Sequence, residues 1–212
     1  MGMQELRKEY LLHGLDEREV LADPIAQFRV WFDAAVAAGL PEPNAMTLAT
    51  VSREGRPAAR VVLIKDFDAE GFVFYTNYAS RKGEDLDATG VAAMVFYWPE
   101  LERQVRVEGN VARVAEAESD AYFASRPLGS QLGAWTSPQS RVIAGRAELE
   151  ARLAEVTQRF GAGPVPRPAW WGGYRLRPLL LEFWQGRPNR LHDRICYQRT
   201  PDGGWQIERL AP

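Results

Sequence analysis

The strongest constraint on this fold is a succession of short β-prone segments, separated by turn residues and a few helical stretches. The first two segments flank the hexapeptide SREGRP, which predicts a β-hairpin. Six or more strands with helices inserted between them predict an α+β, mostly β, barrel. The predicted strands cover residues 45–51, 58–64, 72–76, 91–98, 104–114, 174–184, 194–199 and 205–210.

The first helix has a clear start and end. Asp23 is a suitable N-cap, Pro24 suits the first helical position, and Gly39 ends the run. The charged segment 1–22 is predicted to be a mobile N-terminal arm or lid, and 23–212 a single domain. The apolar residues at helical spacing are Ile25, Phe28, Phe32 and Ala35. The later helices are predicted from Ser80 through Leu86, near 116–125, and from about Ser140 or Arg146 to Phe160, with a Pro/Gly loop at 161–173.

Composition excludes several classes of function. The net charge of −2 provides no general attraction to nucleic acid or to an anionic membrane, so a bound anion must meet a local cluster of Arg and Lys. Cys196 is the single cysteine, which rules out an intramolecular disulfide, and two histidines are too few to expect a zinc site. The N-terminus is polar and no apolar run approaches a membrane span, so a cytoplasmic protein is expected.

The common glycine-rich phosphate loops are missing from the sequence. It contains neither GxGxxG nor GxxxxGK[ST], and no GxSxG nucleophile elbow. If the protein binds a nucleotide-like cofactor, side chains must therefore hold the phosphate.

Two cation-bearing segments could hold such a phosphate. Arg60 and Lys65 bracket four apolar residues on a predicted strand, where Arg offers a planar fork and Lys a point charge. An ordinary strand with polar ends explains the same pattern. The second segment combines a strand end with a helix N-terminus, which favours anions, although a solvated helix start fits equally well. Its residues are Tyr75, Thr76, Asn77, Ser80, Arg81, Lys82 and Gly83.

Two further patterns are compatible with ligand binding. Gln104, Arg106 and Glu108 alternate with valines and share one strand face, which could meet a ligand, a partner subunit or solvent. Tyr122 and Arg126 are four residues apart, as on one helical face; Pro127 then breaks the helix and places Ser130 in a glycine-containing turn. These three side chains could hold a phosphate monoester, and an amphipathic helix end would show the same spacing.

The most informative stretch is EFWQ, four residues, then RLHDR, at 182–194. On an extended segment Arg190, His192 and Arg194 would point the same way. Two guanidiniums that flank an imidazole suit a site for an electron-rich, anionic ligand.

These residues, in this order, resemble the pyridoxamine 5′-phosphate oxidase family, from Arg7 to the last strand. The resemblance implies an FMN-binding split β-barrel with flanking helices, working as a homodimer with FMN at the subunit interface. It implies flavin contacts from Arg60, Val61, Val62, Leu63, Ile64, Lys65, Tyr75, Thr76, Arg81, Lys82, Gln104, Gln139, Ser140, Trp184 and Arg194. It implies substrate contacts from Arg7, Tyr10, Lys65, Tyr122, Arg126, Ser130, Arg190 and His192, the last two also in the catalytic role.

The chemistry implied by the resemblance is oxidation of pyridoxamine or pyridoxine 5′-phosphate to pyridoxal 5′-phosphate, with O2 as acceptor and H2O2 as by-product. Three alternatives stay open at this point. One is a related flavin enzyme that acts on another substrate, such as a phenazine precursor. Another is a non-enzymatic barrel that binds flavin or haem or stores pyridoxal phosphate. The third is a Schiff-base enzyme, which would need a dedicated Lys and usually a much larger domain.

Overall fold

The computed structural model describes residues 2, 5, 9–12, 14–161 and 163–212. Their strands lie close to the segments expected from the sequence. The largest differences are that the second and sixth strands are several residues longer than expected. The strands are β1 (Ala45–Val51), β2 (Pro57–Asp68), β3 (Gly71–Asn77), β4 (Val91–Trp98), β5 (Arg103–Arg113), β6 (Trp171–Gln185), β7 (Asp193–Arg199) and β8 (Trp205–Arg209).

All neighbouring strands are antiparallel, in the order β3-β2-β1-β4-β5-β6-β7-β8. β3 also pairs with β6, so the first six strands close into a barrel and β7 and β8 extend it from β6. The predicted barrel is therefore confirmed. Closure leaves β7 and β8 as the part of the sheet that projects beyond the barrel wall.

Five helices flank the barrel in the described part of the chain, and none of them is long and apolar enough to cross a membrane. The Ser80 cap is confirmed, since its hydroxyl accepts the Gly83 N–H at 3.4 Å. The helices are α1 (Pro24–Ala37), α2 (Arg81–Thr89), α3 (Glu116–Ser125), α4 (Leu128–Thr136) and α5 (Arg146–Phe160).

The main core fills the barrel beneath α1. The helix begins where Asp23 Oδ1 accepts the Ile25 N–H at 3.1 Å, which confirms the predicted cap. Phe28 is fully buried, and its ring centroid lies 4.9 Å from that of Phe72 of β3 in an edge-to-face contact. Trp31 meets Phe183 of β6 in the same way at 5.2 Å. The helix thus closes the barrel with aromatic side chains, which bury a large apolar area.

Helix α4 corrects the prediction that Ser130 lies in a turn. Pro127 ends α3 as expected, but it also occupies the N-cap of α4, where its missing N–H costs nothing. Ser130 is therefore inside a helix. With Gly129 and Gly133 the segment has little intrinsic helix propensity, and burial of Leu132 against a second, smaller core stabilises it instead.

Helix α3 is too short to include both Tyr122 and Arg126, which their spacing predicts to share one helical face. It ends at Ser125, and Arg126 already has extended backbone angles, φ −72° and ψ 149°. The two residues therefore do not share a helical face. The residue before a proline is driven out of the α region, which accounts for the early end.

Strand β6 begins at Trp171, so the predicted loop at 161–173 is too long by three residues. The extra residues pair with β3, with Tyr75 opposite Gly173 and Thr76 opposite Gly172. A Cβ on Gly172 would lie 2.0 Å from the Tyr78 hydroxyl, and one on Gly173 would lie 2.7–2.8 Å from a Val114 methyl and the Tyr75 ring. These glycines belong to a strand because neighbouring side chains occupy the space beside them.

The described residues of the N-terminal arm contact the barrel. The main-chain N–H groups of Leu11 and Leu12 donate to Glu102 Oε2 at 3.0 and 3.1 Å, and that of Leu15 donates to Asp193 Oδ2 at 3.0 Å. Two carboxylates of the barrel thus hold the arm. Its mobility stays a prediction.

Candidate active site

A cavity of about 400 Å³ lies among residues of β2, β3, α3, α4 and β6. Its lining joins two of the predicted groups, because it contains the end of β3 and the whole set Tyr122, Arg126 and Ser130. Trp171 and Ser137 also line it, and sequence reasoning did not single them out. The predicted residues in the lining are Val62, Leu63, Lys65, Tyr75, Thr76, Tyr122, Arg126, Ser130 and Gln139.

One side of the cavity is an aromatic wall formed by Tyr75, Tyr122 and Trp171. The rings of Tyr75 and Tyr122 stack with centroids 3.9 Å apart, and Trp171 is nearly parallel to both at 5.6 and 6.2 Å. Burial raises the pKa of Tyr75, and the nearby negative charge of Glu118 raises it further. The only sequence signal for Trp171 is the pair of glycines that follows it.

Arg126 lies against this wall, with its guanidinium carbon 4.5 Å from the Trp171 ring centroid. Its Nη1 is buried and has no hydrogen-bond partner among the described residues. Burial lowers the pKa of Arg126, and no carboxylate of the described residues lies within 4.0 Å to compensate the lost hydration. A buried donor without an acceptor is costly, so this nitrogen is suited to an anionic ligand.

A second set of cations, Arg60, Arg81 and Lys82, lies beside the end of β3 and the start of α2. Among the described residues, Lys82 Nζ donates only to neutral acceptors, which are Gln139 Oε1 at 3.1 Å, Thr76 Oγ1 at 3.3 Å and Ser80 Oγ at 3.4 Å. Burial lowers its pKa, and the positive charge of Arg60 lowers it further. Burial also lowers the pKa of Arg60, with a further contribution from Arg81. Cations that repel one another in this way would be stabilised by a bound anion.

These cations lack the ion pairs that most other arginines of the described chain make. None of Arg60, Arg81, Lys82, Lys65 and Arg126 has a carboxylate oxygen within 4.0 Å among the described residues. By contrast, Arg106 of β5 is paired with Glu108 and Glu182, and Arg194 of β7 is paired with Glu182. The five cations near the cavity are therefore available for phosphate groups.

The remaining predicted residues form a second group on β5, β6 and β7. Gln104 lies opposite Trp184, which in turn lies opposite Arg194, so the three form a row across adjacent strands. The predicted common face of Gln104, Arg106 and Glu108 is confirmed, since Val105 and Val107 between them are buried. Sequence spacing alone could not show that this row continues through Trp184.

His192 packs beside this row. Its ring centroid lies 4.6 Å from that of Trp184 and 5.6 Å from that of Tyr10, whose ring meets Trp184 at 5.6 Å as well. His192 Nδ1 accepts the Arg187 main-chain N–H at 3.1 Å. Burial lowers the pKa of His192, and the positive charge of Arg190 adds to this. The imidazole is thus held neutral, with the proton on Nε2.

The expected common face of Arg190, His192 and Arg194 is wrong. Residues 188–190 form a short 3-10 turn in which Asn189 and Arg190 have positive φ angles of 56° and 63°. Extended structure resumes only at Asp193. Left-handed residues reverse the direction of the chain, so alternation cannot be carried from β7 back to Arg190.

Three other predicted contact residues have different surroundings. Val61 is 69% exposed on the outside of β2, and Ser140 is exposed at a φ of 70° next to Gln139. Ile64 is 3% exposed in the core, with its N–H and carbonyl both bonded to Asn44, so the structure does not favour a polar ligand contact from it. Arg7 lies outside the described residues.

Residues 32–160 match the family described as pyridoxamine 5′-phosphate oxidase. The chain belongs to the pyridoxamine 5′-phosphate oxidase family. A pyridoxine/pyridoxamine 5′-phosphate oxidase of Cupriavidus metallidurans is 61% identical over 210 residues, 99% of each chain. One of Thermosynechococcus vestitus is 62% identical over 208 residues, 98% of each chain.

A solved structure of the family supports the barrel fold over nearly the whole chain. PhzG from Burkholderia lata, crystallised with tetrahydrophenazine-1-carboxylic acid, is 32% identical with a TM-score of 0.89, covering 97% of this chain and 100% of its own. Residues 171–212 also match the family's C-terminal dimerisation region, described for pyridoxine 5′-phosphate oxidase. This region carries Trp184, Arg190, His192 and Arg194, and its presence supports a homodimer.

Proposed function

We propose that this chain is a pyridoxal 5′-phosphate synthase of vitamin B6 metabolism, which oxidises pyridoxamine 5′-phosphate and pyridoxine 5′-phosphate with FMN as cofactor. The observation that carries the proposal is the buried Arg126 Nη1 without a partner among the described residues, in a cavity that also holds Lys65, Tyr122 and Ser130. The names of relatives about 60% identical over their full length support the same reaction.

The substrate phosphate would bind at this end of the cavity. Arg126 offers a planar fork, Lys65 a second positive charge, and Tyr122 and Ser130 hydroxyl donors. A phosphate monoester carries up to two negative charges and several acceptor oxygens, which matches this donor set. The aromatic wall gives the cavity an apolar side against which a pyridine-sized ring could pack.

The second set of cations fits the phosphate of FMN. Arg60, Arg81 and Lys82 have no ion-pair partner among the described residues, and Thr76 and Gln139 add neutral groups beside Lys82. One cluster of side chains suits one phosphate, as in a mononucleotide, and the glycine-rich loop typical of dinucleotide sites is missing from the sequence. Val62, Leu63 and Tyr75 would contact the flavin ring in the same cavity.

The reaction removes a hydride from C4′ of the substrate and a proton from its amine or hydroxyl. Bound FMN would accept the hydride, and O2 would then take up both electrons to give H2O2. The alcohol yields the aldehyde directly, whereas the amine yields an imine that water hydrolyses with release of ammonia. The protein's part is to bind the phosphate and to hold the ring so that C4′ is correctly placed.

His192 is suited to orient the substrate rather than to remove its proton. Its Nδ1 already accepts the Arg187 N–H, so the neutral ring offers only the Nε2–H, which is a donor. Arg190 would orient ring substituents with it. We assign Arg194 to the flavin, with a charge that Glu182 largely neutralises.

We propose further that two copies of the chain complete each site. None of Gln104, Trp184, Arg190, His192 and Arg194 lines the described cavity, although all five belong to the predicted site. Four of them lie in the dimerisation region. A homodimer that places this region of one subunit over the cavity of the other would join the two groups.

A related enzyme acting on a phenazine precursor is the main alternative, because PhzG shares the fold and about a third of the sequence. Such a substrate would not need the phosphate donors Lys65, Tyr122, Arg126 and Ser130. Their convergence on one cavity therefore favours a phosphorylated substrate.

The test is to purify the protein, identify the released flavin, and incubate the enzyme with pyridoxine 5′-phosphate in air. We expect a yellow protein that releases FMN rather than FAD, and formation of both peroxide and aldehyde. Unphosphorylated pyridoxine is the matched control. Equal turnover of both compounds, or a protein that stays colourless when FMN is added, would contradict the proposal.

A further inference from the structure

A buried chain of hydrogen bonds leads from α2 through β1 to Arg60. The Thr50 hydroxyl donates to Asp85 Oδ2 at 2.7 Å, and Arg60 Nη1 donates to Thr50 Oγ1 at 2.8 Å and to the Leu48 carbonyl at 3.1 Å. Both described hydrogen bonds of Arg60 are thus made by one nitrogen. This leaves Nε and Nη2 for a ligand, as far as the described residues show.

The direction of these hydrogen bonds follows from the chemistry of the groups. An ionised carboxylate only accepts and a guanidinium only donates, so the single proton of the Thr50 hydroxyl must point to Asp85 and its lone pairs to Arg60. Asp85 therefore determines that Thr50 is an acceptor towards Arg60. A hydroxyl free to rotate would not restrict the guanidinium in this way.

Neither Thr50 nor Asp85 can contact a ligand directly. They are 1% and 6% exposed, and neither lines the cavity. Their link to ligand binding has to pass through Arg60, which is partly exposed and whose charge interacts with Arg81 and Lys82. The negative charge of Asp85 also favours the charged form of Arg60, which opposes the effect of burial.

We propose that Thr50 and Asp85 are positioning residues that hold Arg60 ready for the phosphate of a flavin mononucleotide. The inference rests on the proposed function, because it takes the phosphate beside Arg60 to be that of FMN. A preformed guanidinium loses less conformational freedom when it binds, so the relay should act on affinity for the phosphate group and not on affinity for the ring.

The experiment compares FMN with riboflavin, which has the same ring system without the phosphate. Flavin-free protein is titrated with each flavin, and binding is followed by quenching of flavin fluorescence. Thr50→Val, nearly the same shape as Thr, should raise the Kd for FMN about tenfold or more, since hydrogen bonds to charged groups are among the stronger ones. The Kd for riboflavin should change by less than about twofold. Thr50→Ser should restore FMN binding, and Thr50→Ala replaces the valine variant if that does not fold.

A double variant tests the order of the relay. In the Thr50→Val background, Asp85→Ala should weaken FMN binding no further, because the carboxylate acts through the hydroxyl. An additional loss overturns the relay.

Different results are expected if Thr50 and Asp85 only link α2 to β1 and do not position Arg60. In that case both flavins lose affinity together, or FMN binding is unchanged, and the inference is overturned. If the unaltered protein binds no FMN at all, the proposed function fails and this inference with it. If the unaltered protein binds FMN well and Thr50→Val binds it equally well, only the inference fails.

Discussion

Arg194 binds the carboxylate of Glu182 at two points, with Nε 2.8 Å from Oε1 and Nη2 3.1 Å from Oε2. Glu182 is 3% exposed and also accepts from Arg106 Nη1 at 2.8 Å. One buried carboxylate of β6 thus holds guanidiniums from β5 and β7. This pairing fixes the position of Arg194, which ends the row of Gln104, Trp184 and Arg194.

Replacing Glu182 with Gln should destabilise the protein more than an ordinary surface change. It leaves two partly buried guanidiniums without a counter-charge, for which we expect a loss of about 2–3 kcal/mol in the free energy of unfolding. Urea denaturation measures the loss. Glu150→Gln is the control, because its ion pair with Arg146 on α5 is well exposed and should contribute little. Similar small losses in both variants would show that Glu182 does not anchor the row.

Arg126→Ala should abolish efficient use of the phosphorylated substrate. Loss of a guanidinium fork removes about 3–6 kcal/mol of binding to phosphate, or two to four decades in kcat/KM. The content of FMN should not change, because other cations are assigned to the flavin. The control is Arg159→Ala, another arginine over a tryptophan ring, 4.9 Å from Trp135, that does not line the cavity. If Arg126→Ala has a normal kcat/KM, the substrate phosphate does not bind at this end of the cavity.

His192 should titrate below the ordinary pKa of histidine. Burial and the charge of Arg190 disfavour the imidazolium, and protonation would displace the Arg187 N–H from Nδ1. Because the folded pKa lies below the unfolded one, this group contributes its full stability above about pH 6.5, and the contribution is lost as pH falls towards the folded pKa. NMR of the imidazole in a His13→Gln background follows this single residue. A midpoint at or above about 6.5 would contradict the arrangement around Nδ1.

Glu102→Ala should release the N-terminal arm. The Glu102 carboxylate accepts the N–H groups of Leu11 and Leu12, so the variant loses both hydrogen bonds at once. Tryptic cleavage after Lys8, three residues before Leu11, should become about tenfold faster as the arm opens more often. Glu100→Ala, an exposed neighbour, should leave the rate unchanged. If both variants are cleaved at the rate of the unaltered protein, Glu102 does not hold the arm.

The Glu102→Ala variant also tests the position of Tyr10. The Tyr10 ring meets Trp184 and His192, and a side chain at Gly186 would collide with it. Release of the arm should therefore raise KM for the substrate more than it lowers kcat, because we assign to Tyr10 a part in closing the pocket and none in the chemistry.

Much of the fold can be predicted from local patterns because their causes are local. Asp23 and Pro24 start α1 through a hydrogen bond to Ile25 and a fixed φ angle, which no distant residue decides. The alternation of Gln104, Arg106 and Glu108 with valines is a property of one strand. The candidate anion-binding residues could be found for a related reason: in a chain without glycine-rich phosphate loops, a phosphate must be held by side chains such as Arg, Lys and hydroxyl residues, although ordinary strand and helix ends show the same patterns.

Tertiary structure alone decided the rest, because it depends on contacts between residues far apart in sequence. Helix α4 forms although it contains two glycines, since Leu132 is buried against Trp171 and its neighbours. Arg190 is in a left-handed turn, so the periodicity of β7 does not reach it. Barrel closure brings Trp171 beside Tyr75, and strand pairing brings Arg60 beside Thr50 and, through it, Asp85. The sequence by itself thus determined which residues are candidates to bind an anion. The packing of strands and helices decided which of them meet in one cavity and which lie on the dimerisation region, because only the folded chain sets the distances between them.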